Sequence, residues 1–344
     1  MGGALSVGIL GAGAVGCYVG GFLASEGADV VFVGRERVKT ELETYGLTVT
    51  DLASGASRLV PKERIVVAVD ATALAACEVV LCCVKSAQTA EAAAQLTPVL
   101  SSGTIVVSLQ NGIHNAEVLR DKLRKHTVLG GIIGFNVVGK GEGIYRQATS
   151  GPLVIERASE RGCLAPLATL LERARFELEV VKDIRPMQWS KLIINLNNAV
   201  SALSDRPTKE LVFDNGYRRI LAAAMAEAIA VLRLARTPLA RVGPLPVTLF
   251  PLMLRLPSPL VRVLASAQVK IDPEARSSMW EDLSRGRPTE VDWLNGEIVR
   301  LAASCGARAP LNARMVEIVH EAEKRRAGSP KLSADELWAS LTRA

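Results

Sequence analysis

Through about residue 182 the chain repeats one rhythm, short runs dense in Val, Ile and Leu separated by Ala-rich stretches with helical spacing. The runs fall at 7–10, 30–33, 79–84, 105–109 and 128–133. Such alternation predicts the strands of a mainly parallel sheet with helices packed over it. Two more runs, at 145–148 and 153–156, flank the turn signal Ser150, Gly151 and Pro152, and predict an antiparallel hairpin at the sheet's edge. After Asp183 the period changes. Segments 189–203, 216–235, 273–285, 291–305 and 312–325 space their apolar residues as helices do, and 333–341 reads as a last short helix behind a loop at 328–330. The expected class is α/β: residues 1–182 form a domain with a mainly parallel sheet, and residues 183–344 an all-helical domain.

A length of 344 residues suits two domains, and 49% hydrophobic residues can bury a core in each, which argues against disorder. The net charge of +6 does not read as a nucleic-acid footprint, because the 41 basic residues are spread along the chain beside only four Tyr and four Trp. It suits an anionic cofactor and an anionic substrate. Cys17, Cys77, Cys82, Cys83, Cys163 and Cys305 form no CxxC pair and no metal-like spacing with the histidines, so reduced core thiols and no metal are expected. The start of the chain runs apolar from Leu5 to Leu10 without a basic leader, as a first strand does and a signal peptide does not. Met1, Gly2 and Ser6 satisfy the bare myristoylation pattern, but a strand that must be buried begins at Ser6. The most membrane-like stretch, 242–264, is broken by Pro244, Pro246, Pro251, Pro257, Pro259, Arg255 and Arg262; it reads as short packed helices, not a bilayer span. A cytoplasmic protein with no membrane or nucleic-acid partner is expected, with a homodimer left open.

Chemistry enters at the end of the first run. Gly11, Ala12, Gly13, Ala14, Val15 and Gly16 follow a strand directly and open an Ala/Gly-rich helix, the Rossmann context for GxGxxG. Gly11 permits the tight turn, Gly13 lets backbone approach a pyrophosphate, Gly16 lets helix pack on sheet, and the helix N-terminus faces the phosphates. At the end of the second run, where NAD enzymes usually carry an acid, stands Arg35, which suits a 2′-phosphate and so favours NADPH. Lys85 and Asn111 follow two further strands, at the edge where open α/β sheets bind ligands; Lys85 can pair with phosphate or ribose oxygens, and the Asn111 amide can lie beside the nicotinamide.

Reducing a ketone by hydride transfer requires a proton donor for the developing alkoxide. His114, His126 and His320 have no partner legible in sequence and read as structural or solvent-facing. Lys191 opens an otherwise apolar helical stretch in which Lys191, Asn195 and Asn198 fall at i, i+4 and i+7 on one face. Burying such a stripe is costly unless something polar faces it: a substrate, or backbone that takes up the amides. Ser277 and Ser278 precede a short helical run, and Thr289 with Glu290 starts another, an arrangement that also suits plain N-capping.

Together these pieces resemble the ketopantoate reductase (2-dehydropantoate 2-reductase) family: the N-terminal GAGAVG, Arg35, VKSAQT around Lys85, QNG at Asn111, WSKLIINLNNAV around Lys191, and ARSSMWEDLSRGRPTEVDWLNGEI at 275–298. The resemblance covers both domains in order. It implies reduction of 2-dehydropantoate to pantoate with NADPH on the path to coenzyme A, with the 2-oxo acid between the domains. It further implies Lys191 as general acid, Glu290 as its support and a contact of the cofactor ribose, Asn111 as shared by cofactor and substrate, and Asn195, Asn198 and Ser278 as substrate contacts. Two departures stand out. Asn195 and Asn198 are three residues apart where some members have four, and a further substrate asparagine is replaced near Thr208. Two rivals follow: the same chemistry on another 2-oxo acid or related carbonyl, with segment 236–269 reshaping the pocket or an oligomer surface, and an NADPH-binding sensor without turnover.

Overall fold

The computed structural model describes residues 4–158, 164–242, 245–261 and 275–343. Met1 and Gly2, Cys163, and parts of segments 242–264 and 273–285 lie outside the described residues. The chain divides into two compact units, Met1–Ile184 and Arg185–Ala344.

The first unit is built on an eight-stranded sheet. Its strands are β1 (Ser6–Leu10), β2 (Asp29–Val33), β5 (Val66–Ala68), β6 (Val79–Cys82), β7 (Ile105–Ser108), β8 (Thr127–Ile133), β11 (Leu153–Glu156) and β12 (Leu178–Val181), in the order β12-β11-β8-β7-β6-β1-β2-β5. From β5 to β8 every pairing is parallel. All residues of β6 and β7 are buried, so these strands read as unbroken apolar runs. Because β1 lies between β2 and β6, the chain changes direction across the sheet at β1, and the carboxyl ends of β1 and β6 flank the resulting crevice.

A second sheet, in the order β4-β3-β10-β9, is made of β3 (Leu47–Thr50), β4 (Ser57–Val60), β9 (Val137–Gly141) and β10 (Ile144–Gln147). Helix α1 (Ala14–Ser25) lies between the two sheets. A Cβ on its Gly20 would press on Phe32 and Ile9 of the large sheet, and one on Gly21 would press on Val49 and Leu47 of the small sheet. Contact on both faces explains why 16–24 are all buried. This second sheet corrects the expected hairpin. The strands at 144–147 and 153–156 do not pair; β10 joins β9 and β3, while β11 runs antiparallel to β8. Each strand finds its partners elsewhere in the chain, and the Ser150–Pro152 link only carries the chain from one sheet to the other. Helices α2 (Glu36–Tyr45), α3 (Thr89–Leu96), α4 (Asn115–Lys122) and α5 (Ala165–Arg173) complete the unit.

The second unit is helical: α6 (Arg185–Asn195), α7 (Asn197–Ser204), α8 (Thr208–Phe213), α9 (Asn215–Leu234), α10 (Phe250–Leu254), α11 (Ser278–Ser284), α12 (Asn295–Ser304), α13 (Pro310–Arg325) and α14 (Ala334–Thr342). Among the described residues the departure from an all-helical domain is a two-residue antiparallel pair, Arg241–Val242 with Leu245–Pro246, within the proline-rich stretch. Among the described residues no helix is long and apolar enough to cross a membrane. The polar core of this unit is built around Glu227 of α9. Its carboxylate accepts the first N–H groups of α13 from Leu311 (3.0 Å) and Asn312 (2.9 Å), taking the place of a cap, and the Asn312 amide also holds Asn295 at 3.0 Å.

Candidate active site

In the first unit the chain turns as soon as β1 ends. Gly11 takes φ +99°, and its N–H and that of Ala12 both donate to the Val33 carbonyl at 2.9 Å, locking the turn against the tip of β2. The three glycines differ in why they are glycine. A Cβ on Gly11 would lie 2.6 Å from the Val84 nitrogen, and one on Gly16 would strike the Gly11 carbonyl oxygen. At Gly13 it would meet no atom of the described residues within 4 Å, and the backbone there is extended (φ −93°, ψ −163°). Protein packing therefore explains Gly11 and Gly16 but not Gly13. A phosphate laid against bare backbone explains it. Helix α1 starts one residue later with no side-chain cap, which leaves its first N–H groups to serve an anion. Residues 11–16 thus fit a dinucleotide pyrophosphate.

Arg35 is the N-cap residue of α2, exposed, and among the described residues its side chain makes no hydrogen bond or ion pair, whereas Arg37 is tied to Glu41 at 2.8 Å. Lys85 and Asn111 stand on loops after β6 and β7, and the structure joins these loops. The Ser86 hydroxyl donates to the Asn111 carbonyl at 2.7 Å, and the Asn115 amide donates to the same carbonyl. Behind them the Thr89 hydroxyl lies 2.7 Å from Asn115 Oδ1 and accepts from Gln110 Nε2 at 2.7 Å. Ser86, Thr89, Gln110 and Asn115 are all buried, and spacing along the chain assigns none of them a role. Their signal was a set of polar residues placed just behind fully buried strands, where each needs a partner.

In the second unit Lys191 and Asn195 lie on α6, but the expected continuous helix is broken at Leu196. The Asn197 amide donates to the Ile194 carbonyl at 2.7 Å, and the Leu196 N–H is shared between Leu192 and Ile193. Asn198 therefore belongs to α7. Neither the Asn195 nor the Asn198 side chain has a hydrogen-bond partner among the described residues, so backbone does not take up these amides. Burial disfavours the charged form of Lys191 and Glu290 partly restores it; the ammonium is pushed down to about 8. The residue as a whole keeps intermediate exposure, while Glu290 is buried.

The 276–280 string is clasped to α7. Ser277 donates to the Asn198 carbonyl at 3.0 Å and caps α11 through the Trp280 N–H, and Asp205 accepts from Trp280 Nε1 at 2.7 Å and from Arg276 at 2.8 Å. Ser277 is thus the buried capping hydroxyl, and Ser278 is exposed in the first turn. Thr289 and Glu290 open no α-helix. They lead into a single 3-10 turn, Val291–Trp293, with α12 starting only at Asn295. Thr208 is half-buried, its N–H bonded to the Ala275 carbonyl at 3.0 Å. Of the histidines, His114 is exposed beside Glu117, at 2.7 Å, and His320 lies between Glu323 (2.7 Å) and Asp292 (3.1 Å).

The model of the ketopantoate reductase PanE/ApbA family matches residues 7–160, and that of its C-terminal domain matches 183–323. The 2-dehydropantoate 2-reductase of Halobacterium salinarum is 28% identical over 320 residues, 92% of this chain and 98% of that protein. A crystal structure of a PanE/ApbA family ketopantoate reductase from Ralstonia eutropha JMP134 superposes with a TM-score of 0.78 at 32% identity, covering 94% of this chain and 99% of that one. D-mandelate dehydrogenase, solved with NADH and anilino(oxo)acetate, shares the fold at 19% identity and a TM-score of 0.72, with 94% and 99% of the two chains covered. With both domain models matched in order along most of its length, the chain belongs to the ketopantoate reductase PanE/ApbA family.

Proposed function

We propose that this protein reduces 2-dehydropantoate to pantoate with NADPH, with Lys191 as the general acid. The observation that carries the reading is Lys191 itself, an ammonium that burial pushes down to about 8 and Glu290 partly restores, four residues from the unbonded amide of Asn195. When bound, NADPH supplies the hydride that reduces the ketone carbon. Lys191 Nζ meets the negative charge developing on the ketone oxygen and donates a proton to it, ending neutral, the state that burial favours. Glu290 keeps the lysine protonated until then. Asn195 and Asn198 hydrogen-bond the substrate's carboxylate and hydroxyl groups, assisted by Ser278. In the first unit the Gly11–Gly16 turn takes the pyrophosphate, Arg35 the 2′-phosphate, and Lys85 and Asn111 the ribose and nicotinamide.

A second reading, the same chemistry on another 2-oxo acid, is favoured by Thr208 in place of an asparagine and by the three-residue spacing of Asn195 and Asn198. NADPH oxidation with 2-dehydropantoate against a panel of 2-oxo acids tests both. The highest kcat/KM on 2-dehydropantoate is expected; a higher value on another acid selects the second reading, and no oxidation with any of them defeats both. Near-normal turnover by a folded Lys191→Ala variant would defeat the lysine's role.

A further inference from the structure

We propose that Glu323 and His320 are positioning residues for Glu290: from α13 they tie down both ends of the Thr289–Asp292 turn and so hold the Glu290 carboxylate where it acts on Lys191. The inference rests on the reading of Lys191 and Glu290 as an active-site pair. The backbone N–H of Thr289, a buried residue, donates to Glu323 Oε1 at 2.6 Å. The other oxygen of Glu323 lies 2.7 Å from His320 Nδ1, and His320 Nε2 reaches Asp292 Oδ1 at 3.1 Å. Thr289 and Asp292 bracket Glu290, so a chain of three contacts from one helix grips the turn on either side of it.

The turn needs this grip. It is one 3-10 turn, stabilised internally by Trp293 N–H to the Glu290 carbonyl at 3.0 Å and by Val291 N–H to the Thr289 hydroxyl at 3.2 Å. Such a turn is poorly self-supporting. The Glu323 carboxylate satisfies the Thr289 N–H, which burial would otherwise leave without a partner. The charges facing His320 are Asp292 from the turn and Glu323 from its own helix, and Arg300 of α12 binds the Asp292 carbonyl at 2.7 Å and Glu297 at 2.6 Å. Opposite charges on both ring nitrogens favour the imidazolium, which can donate to both carboxylates at once. An ordinary surface ion pair would have no reason to take up a buried N–H beside a buried carboxylate.

The test reads Lys191 directly. In protein labelled with 15N-lysine, the resonance lost in Lys191→Ala identifies the ammonium, and its titration midpoint is followed without substrate. Glu290→Gln is expected to lower that midpoint by removing the opposing charge. Glu323→Ala, which frees the turn, is expected to lower it in the same direction, and Glu323→Gln, which keeps an acceptor for Thr289 but loses the pair with His320, by less. In turnover, Glu323→Ala is expected to lower kcat roughly tenfold, as small misplacements at an active site do, and to move the basic limb of the pH profile to lower pH. A midpoint unchanged from wild type in both Glu323 variants overturns the proposal, as does a midpoint that Glu290→Gln itself fails to move. Should Glu323→Ala not fold, the Glu323→Gln midpoint decides alone. A wild-type protein that oxidises NADPH with none of the 2-oxo acids would end the reductase reading, while a displaced midpoint in the Glu323 variants would still support the positioning role.

Discussion

A methyl group on Gly16 would overlap the carbonyl oxygen of Gly11, so this pair fixes how closely α1 can follow the turn after β1. The same methyl on Gly13 would touch nothing among the described residues. Gly16→Ala should therefore cost stability, about 1–3 kcal/mol by denaturant unfolding, as overpacking does. Gly13→Ala should change stability by no more than about 0.5 kcal/mol. It should nonetheless weaken NADPH binding about tenfold or more, because the added carbon occupies the ligand's space. Equal effects of the two substitutions on stability would contradict this division of labour.

Reduction consumes the Lys191 proton, so the rate should be highest where the ammonium is populated. With its titration pushed down to about 8, kcat for reduction should fall as pH rises through that value, and the reverse oxidation should rise over the same range. The same shift is a stability statement. The folded state disfavours the ammonium, so a penalty of roughly 3 kcal/mol is present at neutral pH and disappears between about 8 and 10.5. Lys191→Met should be more stable than wild type near pH 7, and unfolding curves at pH 7 and pH 10 should show the gap closing.

Arg35 should matter to one cofactor only. Losing a charge-assisted contact to the 2′-phosphate costs about 1.5–3 kcal/mol, which is at least about tenfold in affinity for NADPH. Binding of NADH should hardly change in Arg35→Ala. Titrations that find equal losses for the two dinucleotides would remove the argument for NADPH from this residue.

The Thr89 hydroxyl, buried between Gln110 and Asn115, supports two loops that carry proposed cofactor contacts. Thr89→Val keeps the shape and leaves the two amides short of a partner, so a loss of about 1–3 kcal/mol in stability is expected. The KM for NADPH should rise while the KM for the oxo acid changes less. A stability loss with an unchanged KM for NADPH would confine the network to the fold.

His320 makes a smaller, pH-dependent contribution. Burial lowers the affinity of its ring for a proton, but hydrogen bonds and charge from Glu323 and Asp292 outweigh it and raise the titration above the ordinary 6.5. The contribution to stability is then fully present below about 6.5 and lost as pH rises through the raised value. The ring is partly exposed, so at most about 1 kcal/mol is expected. Comparing His320→Gln with wild type at pH 5.5 and pH 9 should show a gap at the lower pH only.

Much of this was legible in one dimension because it depends on local order. Five strands of the large sheet follow from unbroken apolar runs that must be buried, and the glycine turn is legible because Gly11, Gly13 and Gly16 sit between a strand and a helix. Lys191 stood out as a charge in an apolar helix. The small sheet is not legible because Leu47–Thr50 and Ser57–Val60 are partly exposed strands without an unbroken apolar run, and a partner of the first lies nearly a hundred residues on, at Ile144–Gln147. Ser277 and Ser278 were indistinguishable as letters. Only the cap geometry separates the buried hydroxyl on Asn198 from the exposed one.

The amino-acid order alone determined where the backbone extends, where it coils and which loop can lie against phosphate, since those outcomes turn on side-chain period and on the missing Cβ of glycine. The tertiary structure decided which polar groups meet. That Glu290 acts on Lys191, that Glu323 holds Thr289, and that Thr89 joins Gln110 to Asn115 depend on residues brought together from distant parts of the chain. Their energies come from burial and distance in three dimensions, which no spacing along the chain encodes.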